Sequence, residues 1–277
     1  MTVNAFGIDL GTSSIKIYEK QSNEIVVRKN MIAIANRREL RAYGDDAYDM
    51  YEKTPGNLVV SYPLNDGVIA DINNMELLFR HFIEDTGKGA TAKPADYYIA
   101  VPTDITKVEK RAFSDLIRDS KVKAKKIMLV EKALADGLGL DIDVKNSQGV
   151  MVVDIGYDTT EISILSLGGI VLSRLMKMGG NKFDDAIRAC VRKEFGLLIG
   201  AKSAEQVKFS LKELSAKNEN VFSRQNQKSF FSAKTRFSTK TAKNKIPAKT
   251  AFGIFFANGA APNRIVIKNR ECTTPES

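Results

Sequence analysis

Residues 150–165, VMVVDIGYDTTEISIL, repeat in altered form residues 5–18, AFGIDLGTSSIKIY. Each copy is an apolar strand ending in Asp-Ile-Gly or Asp-Leu-Gly, then a short turn with small hydroxyl residues, then a second strand of alternating character. Between and after the two copies, strand-like runs alternate with helix-like ones, the rhythm of a mixed α/β architecture. Two similar hairpins in that setting point to an internal duplication into two related halves.

A tight turn after a buried strand aims consecutive backbone N–H groups at one point and so makes a nest for an anion. In the first hairpin Gly11 lets a ligand come close, and Thr12, Ser13 and Ser14 add hydroxyl donors suited to phosphate oxygens. Asp9, at the strand end, suits a magnesium ion, which takes carboxylates while keeping several waters. Asp154 stands at the matching place in the second hairpin, followed by Gly156, Thr159 and Thr160. Two such carboxylates meeting across a cleft would hold a metal while the turns hold a phosphate chain. The plainer account is two ordinary hairpins, since Asp-Gly turns are common.

The second turn departs from the pattern, because Tyr157 and Asp158 stand where a phosphate cradle favours glycine. A carboxylate about 5 Å from a phosphate oxygen, at an effective dielectric of about 20, is repelled by on the order of 3 kcal/mol before screening. That would weaken binding by two powers of ten unless the side chain turns away. Lys16, on the opposite strand face from Ile15 and Ile17, either offsets part of this charge or is a solvated strand lysine.

Composition narrows the function classes. The chain of 277 residues is 43% hydrophobic and 27% charged, ordinary values for a soluble protein. No apolar run approaches the roughly 18 residues of a membrane span, and the opening MTVNAFGID passes into a strand without a signal sequence. Cys190 and Cys272 have no motif spacing and read as reduced thiols of a cytosolic protein. The single histidine, His81, lies in a helical stretch and gives no metal site. The net charge of +9 belongs entirely to residues 216–277, which hold 12 basic and 3 acidic residues. A basic tail on a neutral body does not make the fold a nucleic-acid binder.

Along the chain, EIVVRKNMIAIAN reads as a further strand pair, and Asn-Asp-Gly in SYPLNDGVIADI as a turn. Asn73 or Asn74 is expected to cap a helix that buries Met75, Leu78, Phe79 and Phe82, and Thr106 to open the helix KVEKRAFSDLIRDSK. After about residue 215 the composition turns Ser/Thr/Lys/Asn-rich without a sustained period, and low order is expected there.

These residues resemble the actin-like ATPase superfamily. TPGNLVVSYPLNDGVIADI, VVDIGYDTTEISILSLGGIV and GGNKFDDAI are similar, more narrowly, to the bacterial rod-shape-determining MreB/Mbl family, over residues 4 to about 214. The resemblance implies an actin-like, ribonuclease H-like α/β fold with mixed sheets flanked by helices and an incomplete second half. The expected organisation is a first half at 1–145, a partial second half at 146–215 and a basic tail at 216–277. It implies ATP on Gly11, Thr12, Ser13, Ser14, Lys16, Gly156, Tyr157, Asp158 and Thr159, with magnesium near Asp9 and Asp154. The helix start SAEQVK is similar to the family segment that reaches the base and sugar, which places Glu205, Gln206, Val207 and Lys208 there.

The same resemblance implies a cytoplasmic protein that self-associates into filaments guiding cell-wall synthesis and cell shape, with membrane association peripheral at most. One departure bears on turnover. The family's Glu-Glu-Pro step reads Glu131-Lys132-Ala133 here, so the usual water-orienting glutamate has become Lys132 and Glu131 is the remaining catalytic candidate. A protonated lysine cannot accept a hydrogen bond from a nucleophilic water, so weak or lost hydrolysis is expected. The alternative is an actin-fold scaffold that no longer binds nucleotide.

Overall fold

The computed structural model describes residues 4–36, 38–86, 93–217, 251–256 and 264–270. It divides into two compact units, one comprising residues 1–180 with 252–269 and the other residues 181–251 with 270–277.

The first unit begins with β1 (Asn4–Leu10), β2 (Ser14–Glu19) and β3 (Glu24–Lys29), an antiparallel meander. Next come β4 (Ile32–Ala35), β5 (Glu39–Tyr43), α1 (Gly44–Met50) and β6 (Leu58–Ser61), with β4 central in a three-stranded sheet. The expected strand pair at 24–36 is thus two strands belonging to different sheets. β7 (Leu64–Asn65) and β8 (Val68–Ile69) close a hairpin over Asp66 and Gly67, whose φ angles of 52° and 80° are the left-handed pair that a tight hairpin turn requires.

α2 (Ile72–Thr86), β9 (Ala95–Val101), α3 (Lys107–Asp119) and β10 (Ala124–Glu131) complete the first sheet, ordered β10-β9-β1-β2-β3. β9 runs parallel to both β1 and β10, as connections through helices demand. One core fills this region. Phe6, Ile8, Leu10, Ile15 and Ile17 from the sheet meet Met75, Leu78, Phe79 and Phe82 of α2 and Phe113, Leu116 and Ile117 of α3. Phe6 stacks on Tyr97 with ring centroids 5.3 Å apart, and burial pushes the Tyr97 hydroxyl up to about 12.

Thr106 caps α3 through a complete capping box, its hydroxyl accepting from Glu109 N at 3.2 Å while the Glu109 carboxylate accepts from Thr106 N at 2.7 Å. The α2 cap differs from expectation. Asp71, not Asn73 or Asn74, closes that end, its carboxylate accepting from Asn74 N at 3.0 Å.

α4 (Lys132–Gly139) follows β10 directly. Gly137 lets it lie against the next sheet, since a Cβ there would come within 2.6 Å of Leu165. That sheet contains β11 (Val150–Ile155), β12 (Thr160–Ser166) and β13 (Gly169–Met176), and α5 (Gly180–Phe195) and α6 (Ala201–Lys217) come after it in the chain. β14 (Ala251–Phe256) and β15 (Arg264–Arg270) extend it, giving the order β13-β12-β11-β15-β14 with β15 antiparallel to β11. Two stretches of the tail expected to have low order, Ala251–Phe256 and Arg264–Arg270, are therefore strands, and most of its other residues lie outside the described ones. In the second unit the buried Asp184 of α5 meets Lys208 of α6 at 2.8 Å. Among the described residues no helix is long and apolar enough to cross a membrane.

Candidate functional site

The two hairpins are built alike. In the first, a Cβ on Gly11 would lie 2.7 Å from the Ser14 carbonyl; in the second, a Cβ on Gly156 would lie 3.0 Å from the Thr159 carbonyl. Asp9 pairs across its ladder with Lys16, and Asp154 across its own with Glu161. The strand-turn-strand duplication read from the sequence is thus a duplication of backbone geometry.

Asn30 fastens the first turn from behind. Fully buried, it donates from Nδ2 to the Gly11 carbonyl at 2.9 Å and from its backbone N–H to the Ser13 carbonyl at 3.0 Å. The second turn is held by Gly156 N donating to Thr159 O at 2.8 Å, Gly180 N to Gly156 O at 2.9 Å, and the Thr160 hydroxyl to Met178 O at 2.7 Å. Gly179 passes so near that a Cβ would collide with the Tyr157 carbonyl.

The two unusual residues of this turn send their side chains elsewhere. Asp158 is buried and its Oδ2 accepts from the Asp66 backbone N–H at 3.1 Å. Asp66 in turn binds Lys177 through its own carboxylate at 3.1 Å. Tyr157 lies against Tyr62, with ring centroids 5.5 Å apart. Burial first, and the Tyr157 hydroxyl second, hold the Tyr62 hydroxyl far above the usual tyrosine range. The Asp158 charge that threatened a phosphate chain is committed to a backbone amide of the β7–β8 turn.

Asp9 and Asp154 do meet, and they meet at Lys132. Its Nζ lies 2.9 Å from Asp154 Oδ2 and 3.7 Å from Asp9 Oδ1, while Lys16 Nζ lies 2.9 Å from Asp9 Oδ2. As the first residue of α4, Lys132 sits where the helix dipole disfavours a cation by roughly 0.3–1 kcal/mol. Charge-assisted contacts to two largely buried carboxylates outweigh that penalty. Burial pushes the Lys132 ammonium toward neutrality, but Asp9, Asp154 and Asp136 more than offset it and hold the group well above the usual lysine range. Asp136, one helical turn along α4, was not singled out from the sequence, although its i, i+4 spacing from Lys132 was there to be read.

Glu131 is placed differently. Its carboxylate lies 3.6 Å from Lys110 of α3 and is partly exposed, while its neighbour Lys132 makes the contacts to Asp9 and Asp154. Glu205, Gln206, Val207 and Lys208 sit on α6 in the second unit, where Lys208 is engaged with Asp184.

An octahedral magnesium shell asks for carboxylate oxygens and waters at about 2.0–2.1 Å. Here an ammonium stands at the oxygens of Asp9 and Asp154 that would supply the carboxylate ligands. A divalent ion about 4 Å from an ammonium is repelled by on the order of 8 kcal/mol at an effective dielectric of about 20. As arranged, these residues do not fit a magnesium ion bound between the two carboxylates.

Known proteins share the family and the fold of this chain. The family model described as MreB/Mbl protein matches residues 3–231. The cell shape-determining protein MreB of Escherichia coli strain K12 is 36% identical over 217 residues, covering 76% of this chain and 62% of that protein. The cell shape-determining protein Mbl of Bacillus subtilis strain 168 is 37% identical over 213 residues, covering 76% of this chain and 63% of that one. Among solved structures, MreB5 of Spiroplasma citri bound to ADP superposes with a TM-score of 0.69 at 34% identity, covering 75% of this chain and 62% of that chain. A MamK double helical filament, 22% identical with a TM-score of 0.62, shares the fold. The chain spans less than two thirds of the length of each of these relatives.

Proposed function

The chain belongs to the MreB/Mbl family, and from that premise we propose that it is a filament-forming cytoskeletal protein that holds ATP on the turns at 11–14 and 156–159 and hydrolyses it weakly or not at all. The observation that carries this reading is the convergence of Asp9 and Asp154 on one ammonium, which brings the two strand ends together as a shared phosphate site needs. Gly11, Thr12, Ser13 and Ser14 receive one end of the phosphate chain. The turn that runs from Gly156 through Tyr157 and Asp158, with the Thr159 hydroxyl, receives the other, and Lys16 adds positive charge. In support, the similar Spiroplasma citri MreB5 is known with ADP and with AMPPNP bound.

Weak turnover follows from chemistry at residues 131 and 132. Water orientation needs an acceptor beside the terminal phosphate. Lys132 offers only donors, and Glu131 faces Lys110. Magnesium, expected with ATP, would have to reach the phosphates past the same lysine. In this reading residues 1–145 are the first actin-like half and 146–215 a partial second half, with 216–277 a basic tail. Glu205, Gln206, Val207 and Lys208 serve the base and sugar. The protein works in the cytoplasm, at the membrane surface at most, where its filaments guide cell-wall synthesis.

Calorimetry with ATP tests the proposal: one-to-one binding that Gly11→Ala abolishes is expected, since the added methyl would meet the Ser14 carbonyl and block the turn. Absence of binding to the unmutated chain favours the second reading, an actin-fold scaffold without nucleotide. The features that favour that scaffold are the ammonium of Lys132 at the oxygens of Asp9 and Asp154 and the absence of glycine at positions 157 and 158 of the second turn.

A further inference from the structure

We propose that the Lys132 ammonium, with Lys16 beside it, takes the place of a divalent cation at Asp9 and Asp154, so that a polyphosphate is received there without a metal ion held between the two carboxylates. The inference rests on the nucleotide reading for its ligand, but its central claim concerns the protein alone.

Charge is the first argument. Asp9 and Asp154 together carry two negative charges, and Lys16 and Lys132 bring two positive charges to them, the charge of one magnesium ion. Position is the second. Lys132 contacts one oxygen of each carboxylate and so bridges two strand ends that lie in different sheets. The task of a metal bridge is thereby done by a covalently attached group. Geometry is the third. An ammonium has three N–H donors, and Asp154 at 2.9 Å engages one of them closely. The longer contact to Asp9 leaves donor capacity that a phosphate oxygen can take up. The side chain is 20% exposed, so a ligand on the turns can reach it. Asp136 adds a third carboxylate that keeps the group cationic.

The test begins without nucleotide. The full chain and its Lys132→Gln and Lys132→Arg variants are titrated with Mn²⁺, with the free ion followed by electron paramagnetic resonance. Lys132→Gln is expected to gain a site about tenfold tighter than any in the unmutated chain, a change of about 1.4 kcal/mol, and to lose it again when Asp154→Asn is added. Lys132→Arg keeps the cation and behaves as the unmutated chain. Equal Mn²⁺ affinity in the unmutated and Gln proteins, sensitive to Asp154→Asn in both, overturns the proposal, as does a new site in the Arg variant.

Lys132→Gln leaves two carboxylates facing each other, so melting is also compared in MgCl2 and in NaCl of matched ionic strength. Magnesium raises the melting temperature of the Gln variant and not that of the unmutated chain. A last arm needs no variant. Affinity of the unmutated chain for a fluorescent ATP analogue is expected to change by less than about threefold when magnesium is replaced by EDTA. Collapse of that binding in EDTA overturns the inference and leaves the nucleotide reading standing. No analogue binding in either condition, with the Mn²⁺ result as expected, sinks the nucleotide reading and leaves the lysine-for-metal assignment standing.

Discussion

Replacing Asn30 by alanine tests how the first turn is held. Its amide is fully buried and spends Nδ2 on the Gly11 carbonyl at 2.9 Å, while Oδ1 is buried without a partner. The substitution forfeits a hydrogen bond with a net value of about 1 kcal/mol and leaves the Gly11 carbonyl bare at about 1–3 kcal/mol. Removing the unpartnered Oδ1 returns a desolvation cost of the same order, and the small void left behind costs about 1 kcal/mol. The balance is a loss of about 2 kcal/mol. The bond from Asn30 N–H to Ser13 O is main-chain and survives. Urea unfolding followed by circular dichroism reads the effect as a lower midpoint with an unchanged slope. A loss below about 0.5 kcal/mol, the scale of a surface change, would show that the turn holds itself without Asn30.

Thr106→Ala removes one half of the α3 capping box and should destabilise the chain by about 1 kcal/mol in the same assay. The Glu109 carboxyl is held below its ordinary range, chiefly by the Thr106 hydroxyl and then by its backbone N–H. Its contribution is therefore present above the carboxylate range and fades as pH falls through the lowered value, so the gap between the two proteins should narrow in acid. A gap that widens in acid contradicts this assignment. Asp158→Ala should cost about 1–2 kcal/mol for the bare Asp66 amide yet leave ATP affinity nearly unchanged; a gain of about a hundredfold in affinity would mean that the charge does reach the phosphates. Gly179→Ala should destabilise by about 3 kcal/mol or more, because the methyl meets the Tyr157 and Gly156 carbonyls; a variant that melts with the unmutated chain would refute that close approach.

Local signals were the legible ones. The alternation in residues 5–18 and 150–165 specified both hairpins, Asn-Asp-Gly gave the β7–β8 turn, and Thr106 marked the start of α3. At α2 a neighbouring Asp71 took the role expected of Asn73 or Asn74, since several residues able to cap a helix stood in a row. What stayed hidden depends on partners far apart in the chain. Asn30 reaches back 19 residues to Gly11, and Asp158 finds its donor 92 residues away at Asp66. From the sequence Asp158 reads as a repulsive charge unless its side chain turns away, and the donor that turns it away is not a neighbour in the chain. Lys132 was legible as a departure from a family pattern, but its bridge between two strand ends depends on how the two sheets come together. The apolar runs at 251–256 and 264–270 could not be recognised as strands because the pairing partner of the second, β11, lies more than a hundred residues earlier.

Asp66 serves two masters: its main-chain amide holds Asp158 and its side chain holds Lys177. A two-residue reversal that looks like mere connective tissue is thereby a latch on the Tyr157–Asp158 bend. Any swing of that bend away from its seat must first release the latch. The exchange rate of a single amide proton, that of Asp66, then becomes a direct gauge of how often the bend lets go.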